Sequence, residues 1–157
     1  TLRINSENVT MYRKTIKPVI VALLVGGLIA CSSPEEKAAD YILNHPNLPE
    51  DSVPYWDMVA PNIPDEPRDV SSAAILCLAL YELSTHLGKQ GPAYRKAADR
   101  ILRSLCSEAY LAQPGENHNF LLKHSVGSRP KNSEVDVPLV YADYYLLEAL
   151  KRKQSLN

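Results

Sequence analysis

A seven-residue echo constrains this chain more than any other feature. KAADYIL at 37–43 and KAADRIL at 96–102 differ at one position and start 59 residues apart. Each is followed by a long polar connection and then by an Asp-Val pair that opens a more apolar stretch, at Asp69-Val70 and again at Asp136-Val137. Two such units in tandem describe repeated helix pairs in which one helix is wet on one side and its partner is buried. The alternative is chance likeness between two Ala-rich helices, against which the shared loop and Asp-Val start argue.

The helices fall into place around that echo. Ser33-Pro34-Glu35-Glu36 reads as a first helix start, with Ser33 as N-cap and Glu36 closing a capping box; the helix runs to about Asn44, ahead of Pro46. A loop over 45–69 follows. A second helix is predicted from about Val70, capped by Asp69 or Ser71, and stopped near Leu87 by Gly88. Gly91-Pro92 opens a third, predicted to reach about Leu111, with Tyr94, Ala97, Ala98, Ile101, Leu102, Leu105 and Ala109 on one face. After Pro114-Gly115 come a short extended piece at 119–124, a Gly, Ser and Pro-rich loop to Asp136, and a fourth helix at about 138–153. The second helix is apolar all round and the fourth nearly so. The expected fold is therefore all-α, in the order outer, inner, outer, inner: about two helical hairpins of an α/α toroid, with long loops on one face.

Antiparallel succession puts both long loops at one end, beside the N-termini of the inner helices, whose free N–H groups favour anions. The first loop is rigid: Pro49, Pro54, Pro61, Pro64 and Pro67 fix backbone angles and lower the entropy lost on ordering. A loop this long in a compact domain is more often functional than a plain connector. It offers Tyr55, Trp56, Asp57 and Arg68, and aromatic rings flanked by carboxylates suit a sugar, whose C–H faces stack on the ring while the acids accept hydroxyl protons. The alternative is that Trp56 plugs the end of the core and Arg68 pairs with a neighbouring acid. The second loop offers His118, His124, Ser125, Ser128 and Lys131, mixing hydroxyls with cations as an anion site requires. Asp143, among Tyr141, Tyr144 and Tyr145, reads as a buried acid satisfied by tyrosine hydroxyls. The His residues lack metal-ligand spacing, and no nucleotide-binding or nucleophile-elbow motif occurs, so no metal and no cofactor is expected.

The N-terminus has a different character. After Met11 come Arg13, Lys14 and Lys17, then the apolar run 18–30, then Cys31. That run is thirteen residues, short of the roughly 20 a spanning helix needs. The layout is that of an export signal, and Leu28-Ile29-Ala30-Cys31 resembles the lipobox of bacterial lipoproteins. Residues 1–31 are thus read as upstream sequence plus signal peptide, with Cys31 lipidated and 32–157 as the folded part. By the same resemblance, Ser32 rather than Asp after the cysteine favours the outer membrane of a Gram-negative cell, facing the periplasm. From Cys31 onward, 13 Lys and Arg stand against 17 Asp and Glu, a net −4. That balance gives no reason to expect nucleic acid, and leaves membrane attachment to the lipid. Cys77 and Cys106 are either small core residues or, in an oxidising compartment, a disulfide.

PYWDMVAPNIPDEPRDVSSAAI at 54–75 and FLLKHSVGSRPKNSEVDVPLVYADYYLLEAL at 120–150 resemble the C-terminal part of the unsaturated glucuronyl hydrolases, glycoside hydrolase family 88. The resemblance covers 37–152. It implies an (α/α)6 toroid of six helical hairpins, of which this chain is a partial (α/α)6 toroid of about two, acting, without a metal, on unsaturated uronic-acid oligosaccharides. In that family an Asp, as general acid/base, promotes water addition across the C4–C5 double bond; the hemiketal then opens and releases the neighbouring sugar. By resemblance Tyr55, Trp56, Asp57 and Arg68 line the mouth of the site. Ser125, Ser128 and Lys131 resemble a Ser/Ser/Lys contact for the next sugar's anionic group, with Lys131 one residue late. The family's catalytic aspartates belong to segments that have no counterpart here, so no catalytic residue is assigned. A truncated relative, inactive alone, is expected; the alternative is a non-catalytic lipid-anchored protein whose exposed inner helices dock a partner or a second copy.

Overall fold

The computed structural model describes residues 32–157; the expected signal peptide, Cys31 and its lipid lie outside the described residues. Within the unit 34–157 four helices follow in order: α1 (Pro34–Leu43), α2 (Val70–His86), α3 (Gly91–Leu105) and α4 (Val140–Ser155). None of the described helices is long and apolar enough to cross a membrane.

The inner helix α2 is the centre of the unit, packing against both α3 and α4. Its Ala73, Ala74, Cys77, Leu80 and Tyr81 share one core with Ile101 and Leu105 of α3 and with Ala142 and Leu146 of α4. α3 buries the predicted stripe from Tyr94 to Leu105 and keeps its charged face wet. Polar ties fix the inner helices to the outer one: the Tyr81 hydroxyl donates to Asp99 Oδ1 at 2.7 Å, and Lys153 Nζ lies 2.7 Å from the same oxygen. The link between α2 and α3 turns at Gly88, whose φ of +47° favours glycine.

Three expectations are corrected. α3 stops at Leu105, not Leu111. The Ser104 and Ser107 hydroxyls turn back onto the carbonyls of Arg100 and Ser104, offering the chain an exit from the helix. Ala109 is left exposed, Tyr110 turns into the core, and Leu111 bridges to Leu122. Cys106 thereby becomes the exposed cap of α3 rather than a core residue, and both it and Cys77 are free thiols. Burial pushes the Cys77 thiol up to about 12.

The second correction concerns the loop before α4, which is a β-hairpin. Strand β1 (Ser125–Ser128) pairs antiparallel with β2 (Ser133–Val137) across a turn at Arg129–Lys131, which Asn132 closes at φ +50°. The strands close tightly at Gly127: a Cβ there would lie 2.3 Å from Glu134 Oε2. Third, Asp143 is satisfied by backbone rather than by tyrosine hydroxyls, accepting the N–H groups of Leu121 at 2.8 Å and Leu122 at 2.9 Å.

Candidate functional site

Both long connections meet at the N-terminus of α2, and Asp69 is the joint. As N-cap it accepts the Ser71 N–H at 3.1 Å and the Ser71 hydroxyl at 2.6 Å, satisfying donors that open every helix. The same carboxylate accepts the N–H of Val126 in β1 at 3.2 Å, and the next N–H, of Val70, donates to the His124 carbonyl at 3.1 Å. One cap thus ends the first loop, starts the inner helix and holds the base of the hairpin.

The first loop is drawn into a lariat. Tyr55 bridges to Arg68, and the Trp56 N–H donates to the Pro67 carbonyl at 3.0 Å. The Arg68 guanidinium lies over the Tyr55 ring, 5.1 Å from its centroid, and donates through Nε to the Val53 carbonyl at 2.9 Å. Its other arm is paired with Asp51, so the neighbouring-acid alternative holds for this arginine. Trp56 is half-buried, its indole N–H donating to Glu66 at 2.8 Å. Asp57 accepts the Val59 N–H at 2.9 Å and shapes the turn beside it.

Asp51 and Tyr110, neither of them singled out from the sequence, join this loop to the second. Asp51 accepts Arg68 and the Val53 N–H on one oxygen, and the Tyr110 hydroxyl on the other at 2.7 Å. Burial and that bond hold the Tyr110 phenol well above its ordinary range. The Tyr110 ring in turn stands edge-on to His124, centroids 6.4 Å apart, and His124 Nδ1 lies 2.6 Å from Asp136. The sequence carries no local signal for the contact: Asp51 and Tyr110 are 59 residues apart. An open cleft of about 480 Å³, lined by Pro49, Glu50, Asp51 and Arg68, lies beside the cluster.

The three hairpin candidates sit at different depths. Ser125 is fully buried and its Oγ has no hydrogen-bond partner, Ser128 is half-buried, and Lys131 is exposed in the turn. His118 is exposed in a separate 3₁₀ turn, Asn117–Asn119. Among the described residues, no three His, Cys, Asp or Glu side chains are grouped to hold a metal ion. What the arrangement can do chemically is present aromatic surface, one partly neutralised guanidinium and several carboxylates on one face.

Comparison with known proteins decides the family. The chain is 50% identical over 121 residues to an unsaturated glucuronyl hydrolase of Formosa agariphila, covering 77% of this chain and 30% of that protein. It is 36% identical over 116 residues to an unsaturated chondroitin disaccharide hydrolase of Streptococcus agalactiae, covering 72% of this chain and 28% of the other. The crystal structure of an unsaturated glucuronyl hydrolase specific for heparin superposes with a TM-score of 0.73 at 52% identity, over 75% of this chain and 32% of that one. The helical unit belongs to the unsaturated glucuronyl hydrolases, glycoside hydrolase family 88. A Streptococcus agalactiae member complexed with dGlcA-GalNAc6S matches with a TM-score of 0.67 at 33% identity, over 75% of this chain and 31% of that one. No family model matches the chain. As a glucuronyl hydrolase unit the chain spans about 30% of the length of the curated relatives it matches, and its two helix pairs are part of their helical toroid.

Proposed function

We propose that this chain carries part of the sugar-recognition face of a glucuronyl hydrolase, and that its ligand is an unsaturated uronic-acid oligosaccharide. The observation that carries the reading is the Asp51–Tyr110–His124 chain of contacts, which makes two loops distant in sequence into one surface. Tyr55 and Trp56 offer stacking faces there. Arg68 and the exposed His124 are the groups proposed to meet an acidic or hydroxylated ring, with Asp57, Ser128 and Lys131 as further candidate contacts. Ser125 takes part only from beneath, as a buried hydroxyl. By resemblance, the addition of water to the C4–C5 double bond falls to aspartates outside the segments matched here, and the unit 34–157 is proposed to bind the sugar rather than turn it over.

Calorimetric titration of the full chain with an unsaturated glucuronyl disaccharide tests the proposal. Saturable binding is expected, weakened about tenfold, or roughly 1.4 kcal/mol, by Arg68→Ala. The ultraviolet absorbance of the double bond should stay constant throughout. Steady loss of that absorbance, removed by Asp57→Asn, would show instead that the catalytic acid is in this chain. The proposed location is the bacterial cell envelope, with the lipid on Cys31 holding the protein to the outer membrane; metabolic labelling with a fatty acid, abolished by Cys31→Ala, is the expected result.

A second reading is favoured by one observation. Tyr144 and Leu147 of the inner helix α4 are 57% and 54% exposed, an apolar stripe that a monomer of this unit leaves in water. Self-association through the inner helices would cover it.

A further inference from the structure

His124 and Asp136 bracket the hairpin, and both take a backbone conformation that side chains rarely adopt. His124 stands just before β1 at φ +64° and Asp136 lies within β2 at φ +58°. Opposite the start of β1 the register slips: Ser125 pairs with Val137 and Val126 with Val135, so Asp136 is the extra residue of a β-bulge. A bulge re-aims the side chain it carries. Here Asp136 Oδ1 comes to 2.6 Å from His124 Nδ1. The backbone on either side of the histidine is pinned as well. The Lys123 N–H donates to the Tyr110 carbonyl at 2.9 Å, and the His124 carbonyl accepts the Val70 N–H at 3.1 Å. The Tyr110 ring stands edge-on to the imidazole. The other ring nitrogen, Nε2, has no hydrogen-bond partner among the described residues, and the side chain is 45% exposed.

We infer that Asp136 is a positioning residue: it holds the neutral imidazole of His124 in the Nδ1–H form, so that Nε2 is an open lone pair that accepts a ligand hydroxyl. An ionised carboxylate only accepts, so the proton shared by the pair belongs to Nδ1. A neutral ring carries one such proton, which leaves Nε2 bare. A bare lone pair repels a carboxylate or sulfate oxygen and suits an O–H donor. The two loops thereby divide the ligand between them. Arg68, a permanent cation, meets the acid of the uronate, and His124 meets a hydroxyl of the sugar. An exposed pair of this kind contributes little to stability, so fold energetics alone give no reason for two left-handed residues to meet here.

Nitrogen-15 NMR of the full chain in mild detergent tests the assignment, with the His124 ring signals identified by their loss in His124→Gln. In alkaline buffer the parent chain should show a protonated Nδ1 and a bare Nε2. Asp136→Ala should turn the ring to the Nε2–H form that an unrestrained histidine favours, and weaken binding of an unsaturated glucuronyl disaccharide about tenfold. Asp136→Asn, whose amide oxygen still accepts from Nδ1, should keep the Nδ1–H form and most of the affinity. Slow hydrogen exchange at the Val126 amide, which Asp69 holds, should persist in both variants and shows that the hairpin stands. On saturation with the disaccharide, the Nε2 signal of the parent chain should move upfield as it accepts a hydroxyl proton. The hydroxyl contact deepens the recognition face proposed above and rests on it; the tautomer does not. A parent chain in the Nε2–H form, or a ring that Asp136→Ala leaves unchanged, overturns the inference even where the sugar binds. So does a disaccharide that saturates the chain without moving the Nε2 signal. A parent chain with the expected tautomer that fails to bind the disaccharide sinks the recognition face, and the hydroxyl contact with it.

Discussion

Asp51 does at the scale of one residue what the loops do at the scale of the molecule. Its two oxygens hold Arg68, the Val53 N–H and the Tyr110 hydroxyl, so removing it strands three donors at once. Asp51→Ala should lower unfolding stability in urea by about 1–3 kcal/mol, the usual cost of unpaired partly buried polar groups. Asn in its place should recover part of that loss. Asp99 supplies a pH dependence. Burial alone would raise its pKa, but hydrogen bonds from Lys153 and Tyr81, with the charges of Lys153 and Arg95, outweigh this and hold the carboxyl below its ordinary range. A depressed carboxylate stabilises the fold above the unfolded value of about 3.9 and loses that contribution as pH falls through the folded value. The urea midpoint should therefore drop on acidification below about pH 4, and Asp99→Asn should flatten part of the drop. An unchanged acid slope would contradict the assignment.

At the scale of the element, caps decide where the connections go. Asp69→Ala should cost about 1–2 kcal/mol as a lost N-cap. It should also speed hydrogen exchange at the Val126 amide, which a cap serving α2 alone would leave untouched. Asp143→Ala should likewise speed exchange at Leu121 and Leu122. The inner helices were legible because unbroken apolar patterning, Asp69 and Gly88 are local signals that act where they stand. The end of α3 was hidden because Ser104 and Ser107 are compatible with a helix, and only their hydroxyl bonds to the backbone reveal the exit. The hairpin was hidden for a different reason: Glu134 and Asp136 take φ of +54° and +58°, conformations that non-glycine residues give no warning of. Tyr110 was invisible because its partners, Asp51 and His124, are supplied by tertiary structure.

For the whole molecule, the partition into wet outer and apolar inner helices was readable from the echo, and the resemblance supplied the toroid that the structural relatives bear out. Sequence pattern could not say which side of each inner helix is covered, because an all-round apolar helix carries no preferred face. That information lies in the packing, where α2 leaves Ile75 exposed and α4 leaves Tyr144 and Leu147 exposed. The same architecture sets both inner-helix N-termini behind one loop surface, so recognition depends on loops that are far apart in the chain acting together. Trp56 is the only tryptophan, and its fluorescence reports on the first loop alone, while His124 belongs to the second. Titration of the full chain with an unsaturated glucuronyl disaccharide should change Trp56 emission saturably, and His124→Ala should weaken the apparent affinity about tenfold, roughly 1.4 kcal/mol. A flat titration, or one that His124→Ala leaves unaltered, would contradict the claim that the two loops form one sugar-binding face.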